Sequence, residues 1–323
     1  MFESDYLPIS VATLLPSACV GLDLYQQGGD LKSFVLYREK SLPLVPQDLR
    51  KLYERGVRRL FIEKSARAKY QKYLRHLTTM SAEDESVPMS TRLGAMNEVV
   101  CDVLTNSLGA SDAKVAVEAT QRMGVVVAET VSSSRFAFQD LMNVLKHDYT
   151  TFTHSANVAF YNAVLAERLG YTKEEISQIA MGGLLHDIGK LEVDEDILCK
   201  PGKLDAAEYR EVKKHPLNGF RKLALRTEVA FGQLMMVYQH HERIDGRGYP
   251  VGCAGDEIHT WAKQCAVVDV YEALTSLRPY RPPMPNTKAL EIMHRDCGTA
   301  FDPEILACWT TIIQNDLIPS SDL

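Results

Sequence analysis

Five of the nine histidines, His154, His186, His215, His240 and His241, fall within residues 154–241 and lie close to acids. His186 is followed by Asp187 in the run LLHDIGK, after an apolar stretch that predicts a buried helix. Adjacent helical residues are about 100° apart, so both side chains can reach one point. Lys190 follows at i+4 from His186 and i+3 from Asp187, on the same face. An imidazole, a carboxylate and an ammonium on one buried face are costly unless something partners them. A metal ion supplies that partner, with a phosphate to meet the lysine. His215 precedes Pro216 in KKHP, His240 and His241 open HHERIDGRGYP, and Asp269 sits in the apolar run VVDVYEAL. Each alone reads as an ordinary core or surface residue. Five histidines and two aspartates on the helices of one domain read as a metal centre.

The elements that must position these residues follow from periodicity and turn signals. From His154 onward the pattern is helical almost throughout. Stops at Gly170, Pro201–Gly202, Pro216, Gly246–Pro250, Pro279 and Pro282–Pro283 predict a compact all-α domain with short connections. Residues 1–80 are mixed. Ala18–Tyr25, Phe34–Tyr37 and Val57–Glu63 read as strands, with a Gly28–Gly29 turn, and Gln47–Arg55 and Ala66–Leu77 read as helices. This predicts a small α/β input module with no catalytic constellation. The acidic stretch 81–90 reads as a linker. Leu93–Leu108 and Ala113–Leu145 have helical spacing, either packing on the catalytic domain or carrying a signal or a dimer contact. The expected division is 1–80 input module, 81–145 linker and signalling or packing helices, and 146–323 catalytic domain.

Composition narrows the function. The 323 residues are 46% hydrophobic and 24% charged, ordinary for a globular protein, with a net charge of −6. That balance disfavours general nucleic-acid binding. No apolar run reaches the length of a membrane span, and the start MFESDYLPIS lacks the order of a signal peptide. The seven cysteines are scattered without a CxxC pair and read as mostly buried thiols, so a cytoplasmic location is expected.

HDIGK, then KPGKL, HP, HHERIDGRGYP, an Asp in an apolar run, LTSLRPYR and GTAFDP together resemble the HD-GYP branch of the HD phosphohydrolase superfamily, over about residues 146–310. The resemblance implies an all-α HD-type catalytic domain, which with the small α/β N-terminal module makes the expected fold α+β overall. It implies hydrolysis of cyclic di-GMP to the linear dinucleotide or to GMP, by a hydroxide bridging a binuclear metal centre. The implied metal ligands are His154, His186, Asp187, His215, His240, His241 and Asp269, with Asp187 as the bridging carboxylate. Some members add a third metal through a glutamate four residues before the first histidine. Thr150 stands there, so two metals are expected. Imidazole and carboxylate donors without thiolate favour Fe or Mn and also admit Zn, Ni or Co.

Lys190 and Asp187 are the expected catalytic groups. Glu272 joins them, standing where many members carry Asp. Lys190, Arg278, Arg281 and Tyr249 are the expected substrate contacts, the arginines through their planar forks. The loop from Asp245 to Pro250 is an expected docking surface for partner signalling proteins, and a homodimer through 93–145 is a further expectation. Two alternatives remain open at this stage: a low-turnover adaptor that binds cyclic di-GMP, and a hydrolase of another cyclic dinucleotide.

Overall fold

Short polar caps and apolar faces set the elements of the computed structural model, which describes residues 5–15, 21–29, 33–80, 84–108, 113–133, 136–145, 151–200, 202–277 and 282–317. In chain order these are β1 (Tyr6–Ser10), β2 (Leu24–Gln27), β3 (Phe34–Arg38), α1 (Pro46–Glu54), β4 (Arg59–Glu63), α2 (Arg67–Thr79), α3 (Met89–Leu108), α4 (Ala113–Val131) and α5 (Phe138–Leu145). There follow α6 (Thr151–Arg168), α7 (Lys173–Leu185), α8 (Glu195–Leu198), α9 (Ala206–Val212), α10 (His215–Leu223), α11 (Phe231–Gln239), α12 (Thr260–Thr275), α13 (Asn286–Arg295) and α14 (Pro303–Leu317).

The chain divides into two units, Met1–Val99 with Ser134–His147, and Val100–Ser133 with Asp148–Leu323. Residues 81–145, expected as a linker followed by signalling or packing helices, are shared between them. In the first unit the four strands form an antiparallel sheet in the order β1-β4-β2-β3. Leu24, Leu60, Ile62 and Ile9 are buried on one face. Tyr6 stacks on Phe34, while Tyr25 meets Tyr6 and Phe61 meets Phe34 edge-on. Strand β1 was not expected, because Pro8 interrupts its pattern. It is an edge strand, where a missing N–H is tolerated. The first expected strand, Ala18–Tyr25, is displaced: residues 16–20 lie outside the described residues, and β2 begins only at Leu24.

The second unit is helical. The helical spacing expected to run over Ala113–Leu145 is broken, with α4, in this unit, ending at Val131 and α5, in the first unit, starting at Phe138. A serine tract lies between them, and serine competes for backbone hydrogen bonds at helix ends. Helix α4 packs against α6 and α7, with Ala116 and Val117 in a core shared with Ala156, Ala159, Leu184 and Ile188. Behind the site, Tyr161, Tyr271 and Trp309 lock α6, α12 and α14 together, with ring centres 5.1–5.8 Å apart. Asp302 of GTAFDP accepts from the Glu304 N–H and starts α14, the packing role expected for that motif. Of the described cysteines only Cys265 is buried, and Cys199 and Cys297 are exposed. This corrects the expectation of mostly buried thiols among the described cysteines.

Candidate metal centre

Each histidine of the cluster sits where a helix begins or ends, and this arrangement sets its chemistry. Helix α7 starts on a capping box in which the Glu175 N–H donates to Thr172 Oγ1 and the Thr172 N–H donates to Glu175 Oε2. It ends at Leu185, so His186 caps its C-terminus and Asp187 lies just beyond, leading into a 3-10 turn over Ile188–Glu192. The helix expected to carry both side chains and Lys190 thus stops before them. The turn carries Gly189, packed so closely on α10 that a Cβ there would lie 2.0 Å from the His215 carbonyl oxygen.

Helix C-termini leave carbonyls without partners. Three cluster histidines answer this need. His186 Nδ1 lies 2.7 Å from Gly183 O, His215 Nδ1 lies 2.7 Å from Val212 O at the end of α9, and His240 Nδ1 lies 2.9 Å from Met236 O. A carbonyl only accepts, so each Nδ1 carries the proton and each Nε2 presents its lone pair to the cluster. His154, on α6, is held the same way by a carboxylate. Its Nδ1 lies 2.5 Å from Glu272 Oε2.

These lone pairs converge on Asp187. His215 Nε2 and His240 Nε2 lie 3.2 and 3.8 Å from Asp187 Oδ1. His186 Nε2 and His154 Nε2 lie 3.4 and 3.5 Å from Oδ2. Asp269 Oδ1 closes the second group, 3.1 Å from His154 Nε2 and 4.0 Å from His186 Nε2. Two donor sets result, Asp187 with His215, His240 and His241, and His154 with His186 and Asp269, the atoms of each within 4.8 Å of one another. One carboxylate presents a different oxygen to each set, the arrangement of a bridge.

The cluster fits metal ions on its own geometry. His215 Nε2 and His240 Nε2 stand 3.2 Å apart. With both Nδ1 atoms donating to carbonyls, neutral rings set lone pair against lone pair. His186 Nε2 and Asp187 Oδ1 are buried and have no hydrogen-bond partner. Buried polar atoms without partners are rare, and acceptors that face one another require a cation.

Charge follows the same logic. Burial lowers the His186 and His240 imidazoles below their usual range and pushes His241 down to about 3, so these rings are neutral, as ligation requires. Burial disfavours charge on the carboxylates as well. Lys190 and the imidazoles outweigh it at Asp187, as His154 does at Asp269, and both carboxyls are held below the ordinary range. At His154 burial is outweighed by Glu272 and Asp269, which hold the imidazole above its usual range in the metal-free chain.

All seven expected ligands thus come together. Lys190 Nζ lies 2.5 Å from Asp187 Oδ2, an ion pair with the carboxylate that faces both donor sets. Glu272, expected among the catalytic groups, stands behind His154. Its second oxygen accepts from Asn157 Nδ2 at 2.9 Å and Ser276 Oγ at 2.6 Å, so its contacts orient a ligand. Arg278, Arg281, Thr150 and His147 lie outside the described residues. The Tyr249 ring stacks on His241 with centres 4.7 Å apart. His259 caps α12 and His294 bonds Thr310, roles away from the cluster.

Glu242 was not expected to matter. It is buried and accepts from the backbone N–H groups of Val251 at 2.7 Å and Gly252 at 3.1 Å, tying down the loop that carries Tyr249. Gly248 lets that loop lie flat, since a Cβ there would come within 2.4 Å of Glu242 Cα. The sequence signal was available, an acid immediately after two metal-type histidines and before a Gly-rich turn.

Fold and site define a helical domain organised around a His-Asp pair and its converging histidines. The family described as HD domain matches residues 140–305. The 3'3'-cGAMP-specific phosphodiesterase 3 of Vibrio cholerae is 42% identical over 163 residues, 50% of this chain and 35% of that protein. Cyclic di-GMP phosphodiesterase PA4108 of Pseudomonas aeruginosa is 37% identical over 177 residues, 55% and 42% of the two chains. Cyclic di-GMP phosphodiesterase response regulator RpfG of Xanthomonas campestris is 34% identical over 191 residues, 58% and 50%. The matched segments span half or less of these relatives. Among solved structures, Bd1817, a HDG"Y"P protein from Bdellovibrio bacteriovorus, shares the fold with a TM-score of 0.69, covering 96% of this chain and all of that one at 19% identity. The chain belongs to the HD domain family, in its HD-GYP branch.

Proposed function

We propose that this protein hydrolyses a phosphodiester bond of a cyclic dinucleotide, with cyclic di-GMP as the first substrate to test and pGpG or GMP as the product. The observation that carries the reading is Asp187, whose two oxygens face two separate sets of imidazole donors. His215, His240 and His241 would hold one ion, His154, His186 and Asp269 the other, and Asp187 both. Fe or Mn suits these donors, and Zn, Ni or Co is admitted. When bound, the two ions supply a water nucleophile at neutral pH and offset charge on the phosphoryl oxygens.

The residues of the chain do the rest. The backbone carbonyls fix each Nδ1 proton and so keep each Nε2 free for ligation. Glu272 holds His154 in place. Lys190 carries a positive charge to the edge of the cluster, where it balances Asp187 and can meet a substrate oxygen. Arg278, Arg281 and Tyr249 are proposed as further substrate contacts.

A second substrate, 3'3'-cGAMP, is favoured by the relative that is 42% identical. It differs in one base, so the same centre serves both. Protein purified without oxygen, assayed for metal and for turnover of both dinucleotides, tests the reading. Wild type should cleave at least one, and His186→Ala with Asp187→Ala should abolish cleavage. Metal-loaded protein that binds either dinucleotide and cleaves neither would establish the adaptor reading instead. Docking of a partner protein at the loop is proposed from the exposure of Arg247 and Val251, and homodimerisation through 93–145 from the exposed Val115 and Val125 of α4.

A further inference from the structure

The lysines beside the metal centre differ in what balances them. Lys190 pairs with Asp187, and the exposed Lys214 pairs with Glu211 at 2.6 Å. Lys213, next to Lys214 and two residues before ligand His215, has no carboxylate within ion-pair distance among the described residues and is half-buried. Its ammonium instead lies over two rings, 5.0 Å from the centre of Tyr249 and 5.5 Å from that of Tyr209. Tyr249 in turn stacks on His241.

A ring face attracts an ammonium and holds it in place, but does not neutralise it. The Lys213 charge therefore stays available to an anion, one ring beyond a metal ligand. A cyclic dinucleotide carries two phosphodiesters. When one lies at the metals, the other is still an anion that must leave water, in a protein whose net charge is −6. Lys190 stands beside Asp187 at the cluster, where it can meet only the phosphate being cleaved.

We infer that Lys213 is a substrate-binding residue that holds the phosphate not being cleaved, its ammonium positioned by the Tyr209 and Tyr249 rings. This rests on the cyclic-dinucleotide reading above and extends it to a second phosphate site. It also gives the Gly-Tyr-Pro tyrosine a task, since its ring sets the place of the cation.

The test uses the full chain loaded with metal and two variants. Lys213→Met keeps an apolar stem over the rings and removes the charge, and Lys213→Arg keeps the charge. Four quantities are read: KM and kcat for cyclic di-GMP and 3'3'-cGAMP, Kd for a hydrolysis-resistant phosphorothioate analogue at low and at physiological salt, turnover of the single-phosphate diester bis(p-nitrophenyl) phosphate, and metal per chain. Lys213→Met should raise KM and Kd about 10-fold or more, the scale of a lost charge-assisted contact, and flatten the salt dependence of Kd. Its kcat, its metal content and its bis(p-nitrophenyl) phosphate turnover should stay near wild type, and Lys213→Arg should stay within a few-fold throughout. An unchanged KM and Kd in Lys213→Met overturns the inference. So does an equal loss on bis(p-nitrophenyl) phosphate, which would make the lysine a prop for Tyr249. If wild type binds the analogue and cleaves no dinucleotide, the hydrolase reading fails while the Kd comparison still decides Lys213. If it binds none, both fall.

Discussion

The carboxylate of Glu272 lies 2.5 Å from Nδ1 of His154, a residue 118 positions earlier in the chain, and fixes the ring whose other nitrogen faces Asp269. Removing such a partner typically lowers metal affinity or activity by about 10–100-fold. Glu272→Ala should show that loss in a chelator competition, and Glu272→Gln, which keeps an acceptor for Nδ1, should lose less. Equal affinity in wild type and Glu272→Ala would remove the role assigned to this residue.

Gly189→Ala should push α10 away from the His-Asp turn, because the new Cβ would meet the His215 carbonyl at 2.0 Å. The expected cost is about 1–3 kcal/mol of stability, together with loss of metal at the His215 set. Thermal unfolding and elemental analysis check both. A variant with wild-type Tm and metal content would contradict the packing described.

Glu242→Ala should loosen the Gly-Tyr-Pro loop. It leaves the Val251 and Gly252 N–H groups without their acceptor, at about 1–3 kcal/mol for each that stays buried. Hydrogen exchange at these amides is the measurement, and protection equal to wild type would refute the assignment.

Acid should destabilise the metal-free chain. Burial lowers His186, His240 and His241, the last to about 3. A lowered imidazole contributes stability in full above its unfolded value, about 6.5, and loses it as pH falls toward the folded value. Asp187 and Asp269, also lowered, contribute above about 3.9 and lose it at still lower pH. His154 is raised and acts oppositely, contributing below about 6.5 and fading in alkali. Three imidazoles outweigh one, so the Tm of chelator-treated protein should fall between about pH 7 and about pH 5. A rise over that interval would show that His154 dominates.

The seven expected ligands were legible from their joint pattern and from the ordered motifs that resemble the HD-GYP branch, since each residue alone reads as ordinary. What was not legible depended on distance along the chain or on backbone detail. Glu272 meets His154 only in the folded state, so its sequence neighbours gave no sign that it serves a ligand. The end of α7 at Leu185, before the His-Asp pair, and the close contact of Gly189 with α10 are backbone details that helical periodicity does not encode. In the first unit, α1, β3, β4 and α2 followed their apolar patterns. Strand β1 did not, since Pro8 hides an edge strand from any pattern-based reading. The serines after Val131 are a helix stop that an apolar-rich run obscured.

Metal per chain, determined by elemental analysis on protein purified without oxygen, is the most direct test of the centre built on Asp187. Wild type should hold two ions per chain and Asp187→Ala should fall toward none, since both donor sets lose the carboxylate they share. A wild-type chain that takes up no metal when metal is supplied, or an Asp187→Ala chain that keeps both ions, would contradict it.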